Sequence, residues 1–227
     1  SGFGLLGNRT LARSLRELQP DREQPVVDAN FIEDAFLILH NRLVNDGYLH
    51  PLLVANLTLT NGEPRAIWWD GEAELEVPRD VQATAVEFEV VHGVLHYFDR
   101  IEFSGLKSVS PARAEGFFIT RDSLLNLKTS RRYSPDALQT ALRNLRRELV
   151  NQGHRDAVVR AARVDIDPDT GAVRVRVEVN EGPRYVVRSL SVSVTNAPPG
   201  LEVEPPAVER DTAFSVAWEQ DTAQAVN

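Results

Sequence analysis

The sequence predicts an α+β protein built by repeating one unit of strand, helix, helix, strand and strand. Three observations carry that prediction. The phrase Leu-Val-Asn-x-Gly occurs twice, at residues 43–47 and 149–153. Carried backward at the same offset, Ile32 pairs with Leu138, Ala35 with Ala141, Phe36 with Leu142 and Leu39 with Leu145, the spacing that lines one face of an α-helix. After each glycine the apolar period changes from 3.6 to 2, as it does when a helix gives way to strands.

Taken in order, "FGLLGN" is the tail of a first strand, so the sequence opens at or inside it, and Leu11, Leu15 and Leu18 mark a first helix. A second helix starts at a cap, Asp28 or Asn30, and stops at Gly47, where the left-handed conformation that ends a helix costs glycine least. Leu57 and Leu59 belong to the next strand, and Val86, Phe88 and Val90, alternating with Glu87 and Glu89, to the strand that closes the unit. Between these two strands lies an insertion, "NGEPRAIWWDGEAELEVPRD". Its Asp70-Gly71, flanked by alternating apolar residues, predicts an extra small hairpin near 63–78. Adjacent residues of a strand point to opposite faces, so one of Trp68 and Trp69 packs beneath while the other is covered or stands as a partner contact.

The second copy is more regular. "YFDRIEFSGLKSV" at 97–109 is its first strand, and a first helix falls between Arg113 and Leu127. Ser134 and Pro135 open the second helix, which Gly153 closes. Ala162, Val164 and Ile166 then alternate with Arg163 and Asp165, the chain turns at Asp167-Pro168-Asp169-Thr170-Gly171, and Val173, Val175, Val177 and Val179 line one face of the last strand. A third unit begins at "VVRSLSVSV", passes a proline-rich stretch and reaches "FSVAWEQDTAQAVN", the opening of another second helix. The domains read as 1–98, 99–186 and a partial unit at 187–227, a piece of a longer protein.

Composition narrows the chemistry. A net charge of −8 over 227 residues opposes general binding to nucleic acid backbones, which requires a basic surface. One stretch runs against it: from Arg131 to Arg163 the arginines outnumber Asp136, Glu148 and Asp156. The plain reading is a solvated helix face, and the other is contact with anionic headgroups or an acidic partner. Without cysteine there are no disulfides, thiol nucleophiles or thiolate metal sites. No apolar run approaches the roughly 20 residues of a membrane helix. His92 and His96, four residues apart on a strand, stand about 13 Å from each other, too far to ligate one metal. The acids Glu72, Glu74 and Glu76 form a solvated strand face. Phosphate loops and nucleophile elbows are missing, so neither enzyme activity nor a cofactor is expected.

The element order, the Asn-x-Gly helix ending and the junction Asn180-Glu181-Gly182-Pro183-Arg184-Tyr185 resemble the polypeptide-transport-associated (POTRA) domain, strung in tandem before the barrel of outer-membrane assembly proteins of the BamA/TamA family. The first copy departs at its junction, Val91-His92-Gly93, and in its tryptophan-bearing insertion. The resemblance implies a three-stranded mixed sheet covered on one face by two helices, and a place on the periplasmic face of the bacterial outer membrane. It further implies weak strand addition by unfolded outer-membrane or secreted clients, with membrane contact only through a barrel beyond this sequence. The edge it names is the first strand of each closing hairpin: Leu57, Thr58 and Leu59 in one copy, Arg163, Val164 and Asp165 in the other. Alternatives are a two-partner secretion transporter with one dedicated passenger, and a scaffold docking accessory envelope proteins.

Overall fold

A computed structural model describes residues 26–119, 128–190, 208, 211–214 and 218–220. The predicted helix at Leu11–Leu18, the strand tail before it and most of the third unit lie outside these residues. The chain divides into two compact units. One takes the residues up to Tyr97 with Arg132–Asp136 and Ile166–Ala172; the other takes Phe98–Arg131, Ala137–Asp165 and the residues from Val173 onward.

In the first unit, a two-residue strand β1 (Val27–Asp28) leads into helix α1 (Ala29–Asn45). Asp28 caps the helix, its side chain accepting from the Phe31 N–H at 2.9 Å. The face that the spacing predicts, Ile32, Ala35, Phe36, Leu39 and Leu43, is buried. Strands β2 (Leu52–Leu59), β3 (Pro64–Trp69) and β4 (Gln82–Val91) complete an antiparallel sheet in the order β1-β4-β2-β3. Phe36 joins helix to sheet, its ring edge-on to Phe88 at 5.8 Å.

The insertion is therefore not a separate hairpin. Its first half is β3, paired with β2 from Leu53↔Trp69 to Thr58↔Pro64, and its second half returns without forming a strand. That return is held by side chains instead. Val77 and Val81 are buried in the core, and the Val77 N–H donates to Glu33 Oε1 on α1 at 3.3 Å.

The second unit holds β5 (Tyr97–Ser104), a short helix α2 (Pro111–Glu115), a 3-10 turn (Lys128–Arg131), helix α3 (Pro135–Asn151), and strands β6 (Val158–Ile166) and β7 (Ala172–Asn180). Its sheet runs β5-β7-β6. Asp99 pairs with Arg174 and Glu102 with Arg176, partners that advance together, so β5 runs parallel to β7. The short turn from Asp167 to Gly171 makes β6 and β7 antiparallel, so the sheet is mixed. Val173, Val175, Val177 and Val179 are buried along one face of β7, as are Leu138, Ala141, Leu142, Leu145 and Leu149 along one face of α3. Of the predicted first helix, Pro111–Glu115 is helical and 120–127 falls outside the described residues.

Both long helices end in the same way. Gly47 and Gly153 have φ of 97° and 98°. The next N–H, of Tyr48 or His154, reaches back to the carbonyl of Leu43 or Leu149 at 2.9 and 3.0 Å. The repeated phrase thus encodes a helix stop. The strand expected from Val187 is not formed over 187–190, where Val186 makes only an isolated bridge to Ala213. Among the described residues no helix is long and apolar enough to cross a membrane.

Candidate functional site

Topology decides which strand can accept another. In the second unit β6 is the outer strand, and among the described residues nothing pairs along its far side. Arg163, Val164 and Asp165 lie on that edge. N–H groups alternate sides along a strand. The Asp167 N–H points to Ala172 at 3.0 Å, so the Asp165 N–H also faces β7 and the Val164 N–H faces the open edge. Arg163 and Asp165, paired with each other at 2.8 Å, keep the flank charged, which discourages pairing of the edge with its own kind.

The first unit differs, because β2 lies between β4 and β3. Leu57, Thr58 and Leu59 are not at an edge: Leu57 is 3% exposed in the core, Thr58 pairs with Pro64 and Ala85, and the Leu59 N–H donates to Glu63 O. The first half of the insertion, β3, fills beside β2 the position that β6 leaves open in the second unit.

The two tryptophans part as alternation requires. Trp69 is 9% exposed, donates Nε1–H to Ala73 O at 2.8 Å and stacks near His40 and Phe36 at 4.9 and 6.3 Å. It belongs to the core and is no partner contact. Trp68 is 67% exposed on the opposite face of the sheet.

A second constellation carried no local signal in the sequence. Glu181 follows β7, is 8% exposed, and accepts from the N–H groups of Lys107 and Ser108 at 2.6 and 2.8 Å through Oε1 and from the Ser108 hydroxyl at 2.8 Å through Oε2. His154 Nε2 lies 2.8 Å from the same hydroxyl. Burial, the largest influence, raises the Glu181 carboxyl, but these hydrogen bonds and the nearby His154 outweigh it and hold it below the usual range. The serine hydroxyl donates to the carboxylate, its oxygen meets His154 Nε2, and among the described residues the buried His154 Nδ1 has no partner. The cluster is a clasp joining the end of β7, the loop after β5 and the stop of α3. In the first unit His92 stands where Glu181 does and its ring meets Tyr48 at 4.7 Å, a ring contact in place of the carboxylate.

His96 is buried, with Nδ1 3.3 Å from Gly47 O. Burial first, then the nearby His50, lowers its pKa against the pull of the Gly47 and Val94 carbonyls; burial and His50 lower that of His40 as well. Both imidazoles take up protons more readily once unfolded, so their contribution is present above about pH 6.5 and is lost as pH falls below it. The urea midpoint of the first unit is expected to drop between pH 7.5 and 5.5, and the double variant His40→Gln/His96→Asn to flatten that drop; an unchanged slope would contradict it.

Four arginines of the basic stretch have partners within about twenty residues. Arg143 and Arg147 bond Thr140 and Asn144 on their own helix, Arg146 bonds Ala157 O, and Arg160 pairs with Glu178 at 2.6 Å.

Against known proteins, residues 96–182 match the family model POTRA, described as "Surface antigen variable number repeat". No curated protein matches the chain. Among solved structures, the crystal structure of Haemophilus influenzae BamA POTRA3-5 is 17% identical, with a TM-score of 0.38, over 86% of this chain and 70% of that one. The matched segment begins just before β5 and ends just past Glu181, so it takes in the mixed sheet, α3 and the clasp. Residues 96–182 are thus similar to the POTRA family, and the unit before them repeats their helix ending and their closing pair of strands.

Proposed function

We propose that this chain is the periplasmic, substrate-handling region of an outer-membrane β-barrel assembly or translocation protein of the BamA/TamA kind. It holds unfolded client chains weakly by strand addition, without a cofactor or a catalytic step. The observation that carries the reading is the open edge of β6 within the segment similar to POTRA. An extended chain added there is held by main-chain hydrogen bonds, which read conformation and largely ignore sequence, as a handler of many clients requires. The role falls to β6 alone of the two edges named from the sequence, since β3 occupies that of β2.

Val164→Pro tests it. Proline removes the N–H that faces the open edge and leaves the bonds to β7 in place, and outer strands tolerate it. A labelled eight-residue peptide of alternating valine and threonine is expected to bind the native chain in the micromolar to millimolar range typical of transient contacts. The variant should bind at least fivefold more weakly while its circular dichroism is unchanged. Equal binding by a folded variant would remove β6 as the acceptor.

A further inference from the structure

The outward face of the first unit's sheet has a chemistry unlike that of the second. In the second unit each outward charge has an opposite beside it: Arg174 with Asp99 at 3.2 Å, Arg100 with Glu102 at 3.1 Å and Arg163 with Asp165 at 2.8 Å. In the first, Leu53, Ala55 and Leu57 point into the core, so Leu52 and Val54 point out. The register sets Val54 between Trp68 and Glu89, Leu52 beside Val91, and Asn56 between Ala66 and Glu87. Trp68, Val91 and Leu52 are all exposed. No lysine or arginine stands on these rows, and neither Glu87 nor Glu89 makes an ion pair among the described residues.

An exposed indole beside aliphatic side chains marks contact surfaces more often than bare solvent faces. Carboxylates left unmatched beside it favour a cation, which the indole face also attracts. Glu87 and Glu89 lie about 7 Å apart along β4, the distance between alternate side chains of an extended chain. Val91 continues the same column, so β4 reads acid, acid, apolar.

We propose that this face docks an extended segment of a partner protein carrying two basic residues at alternate positions followed by an apolar anchor. The basic side chains pair with Glu87 and Glu89, and the anchor lies against Val91, Leu52 and Trp68. This contact is separate from strand addition: it uses side chains on a sheet face of the first unit, not the main chain along β6.

The test uses the whole chain and a labelled peptide, Gly-Arg-Ser-Arg-Ser-Leu-Ser-Gly, with its reversed sequence and a version bearing glutamate for arginine. One of the two basic peptides is expected to bind, and the acidic one to fail. Trp68→Ala and Glu87→Gln/Glu89→Gln should each weaken binding at least tenfold, and Trp68→Phe, which keeps an aromatic face, by much less. All three alter exposed side chains, and circular dichroism checks their fold. Val164→Pro should leave this binding unchanged. Failure of both basic peptides to bind, equal binding of the acidic peptide, or indifference to the Trp68 and glutamate variants would each overturn the proposal. Loss of binding in Val164→Pro would overturn it too, while placing the peptide on β6 and strengthening the strand-addition reading.

Discussion

Replacing Glu181 with alanine is expected to destabilise the second unit by about 2–3 kcal/mol, because it removes the acceptor of two backbone donors at once. The N–H groups of Lys107 and Ser108 both end on Oε1, and the Ser108 hydroxyl on Oε2. Lys107 and Ser108 are themselves exposed, so water can reach the freed donors and each lost bond to the charged acceptor costs roughly 1–1.5 kcal/mol. Glu181→Gln separates geometry from charge. Its amide oxygen keeps both backbone bonds, and its NH2 turns the serine hydroxyl toward His154, so a loss of only about 1 kcal/mol is expected. Charge then appears in the pH dependence. The carboxyl sits below its usual range in the fold, so its contribution is present above about pH 4.5 and is lost as pH falls through the folded value. Urea midpoints of the native chain and both variants between pH 7 and 3 would show this. Glutamine should remove the acid-dependent part and alanine should lower the whole curve. An alanine variant as stable as the native chain would mean that water satisfies the loop and that the clasp is incidental.

What the sequence disclosed follows the range of the interactions involved. The stops at Gly47 and Gly153, the buried stripe of α1 and α3 and the valine face of β7 rest on neighbours within a few residues. Period and glycine placement therefore announce them. The strand expected after Asp70-Gly71 fails for the same reason in reverse, while the one before it forms as β3. Asp70-Gly71 has the composition of a hairpin turn, and Gly71 does turn with φ of 82°. The strand that should follow is replaced by a segment whose Val77 N–H is satisfied by Glu33, a helix carboxylate far back in the chain. Nothing near residue 72 records that a partner on α1 is waiting. Pairing β3 with β2 then converts the predicted edge at Leu57–Leu59 into an interior strand. Ser108, His154 and Glu181 stayed hidden because each is an ordinary residue until the fold brings a loop, a helix stop and a strand end together. Only the phrase Glu-Gly-Pro-Arg-Tyr pointed there, through resemblance, and the three hydrogen bonds to Glu181 now give the phrase a physical cause.

The helix stop itself yields the other large effect. Gly153→Ala is expected to cost the second unit about 3 kcal/mol, and Gly47→Ala less in the first. At φ near 98° an L residue is strained by about 1–2 kcal/mol wherever it stands. Space sets the difference. A Cβ on Gly153 would lie 2.6 Å from the carbonyl oxygen of Tyr185, a backbone atom that cannot swing aside; on Gly47 the nearest atom, His96 O, is at 2.9 Å. The contact is close because the Tyr185 N–H donates to Gly153 O at 2.8 Å, so relieving the clash by moving the chain stretches that bond. The first unit has the same arrangement, with the His96 N–H on Gly47 O at 2.7 Å, which makes the two substitutions a matched pair. If the losses follow local crowding, hydrogen exchange in Gly153→Ala should quicken first at the Tyr185 and His154 amides and then across α3, with peptide binding at β6 failing only when the whole unit opens. Equal losses at the two sites, at about 1 kcal/mol each, would mean that left-handed strain is the entire effect and that the junction yields without resistance.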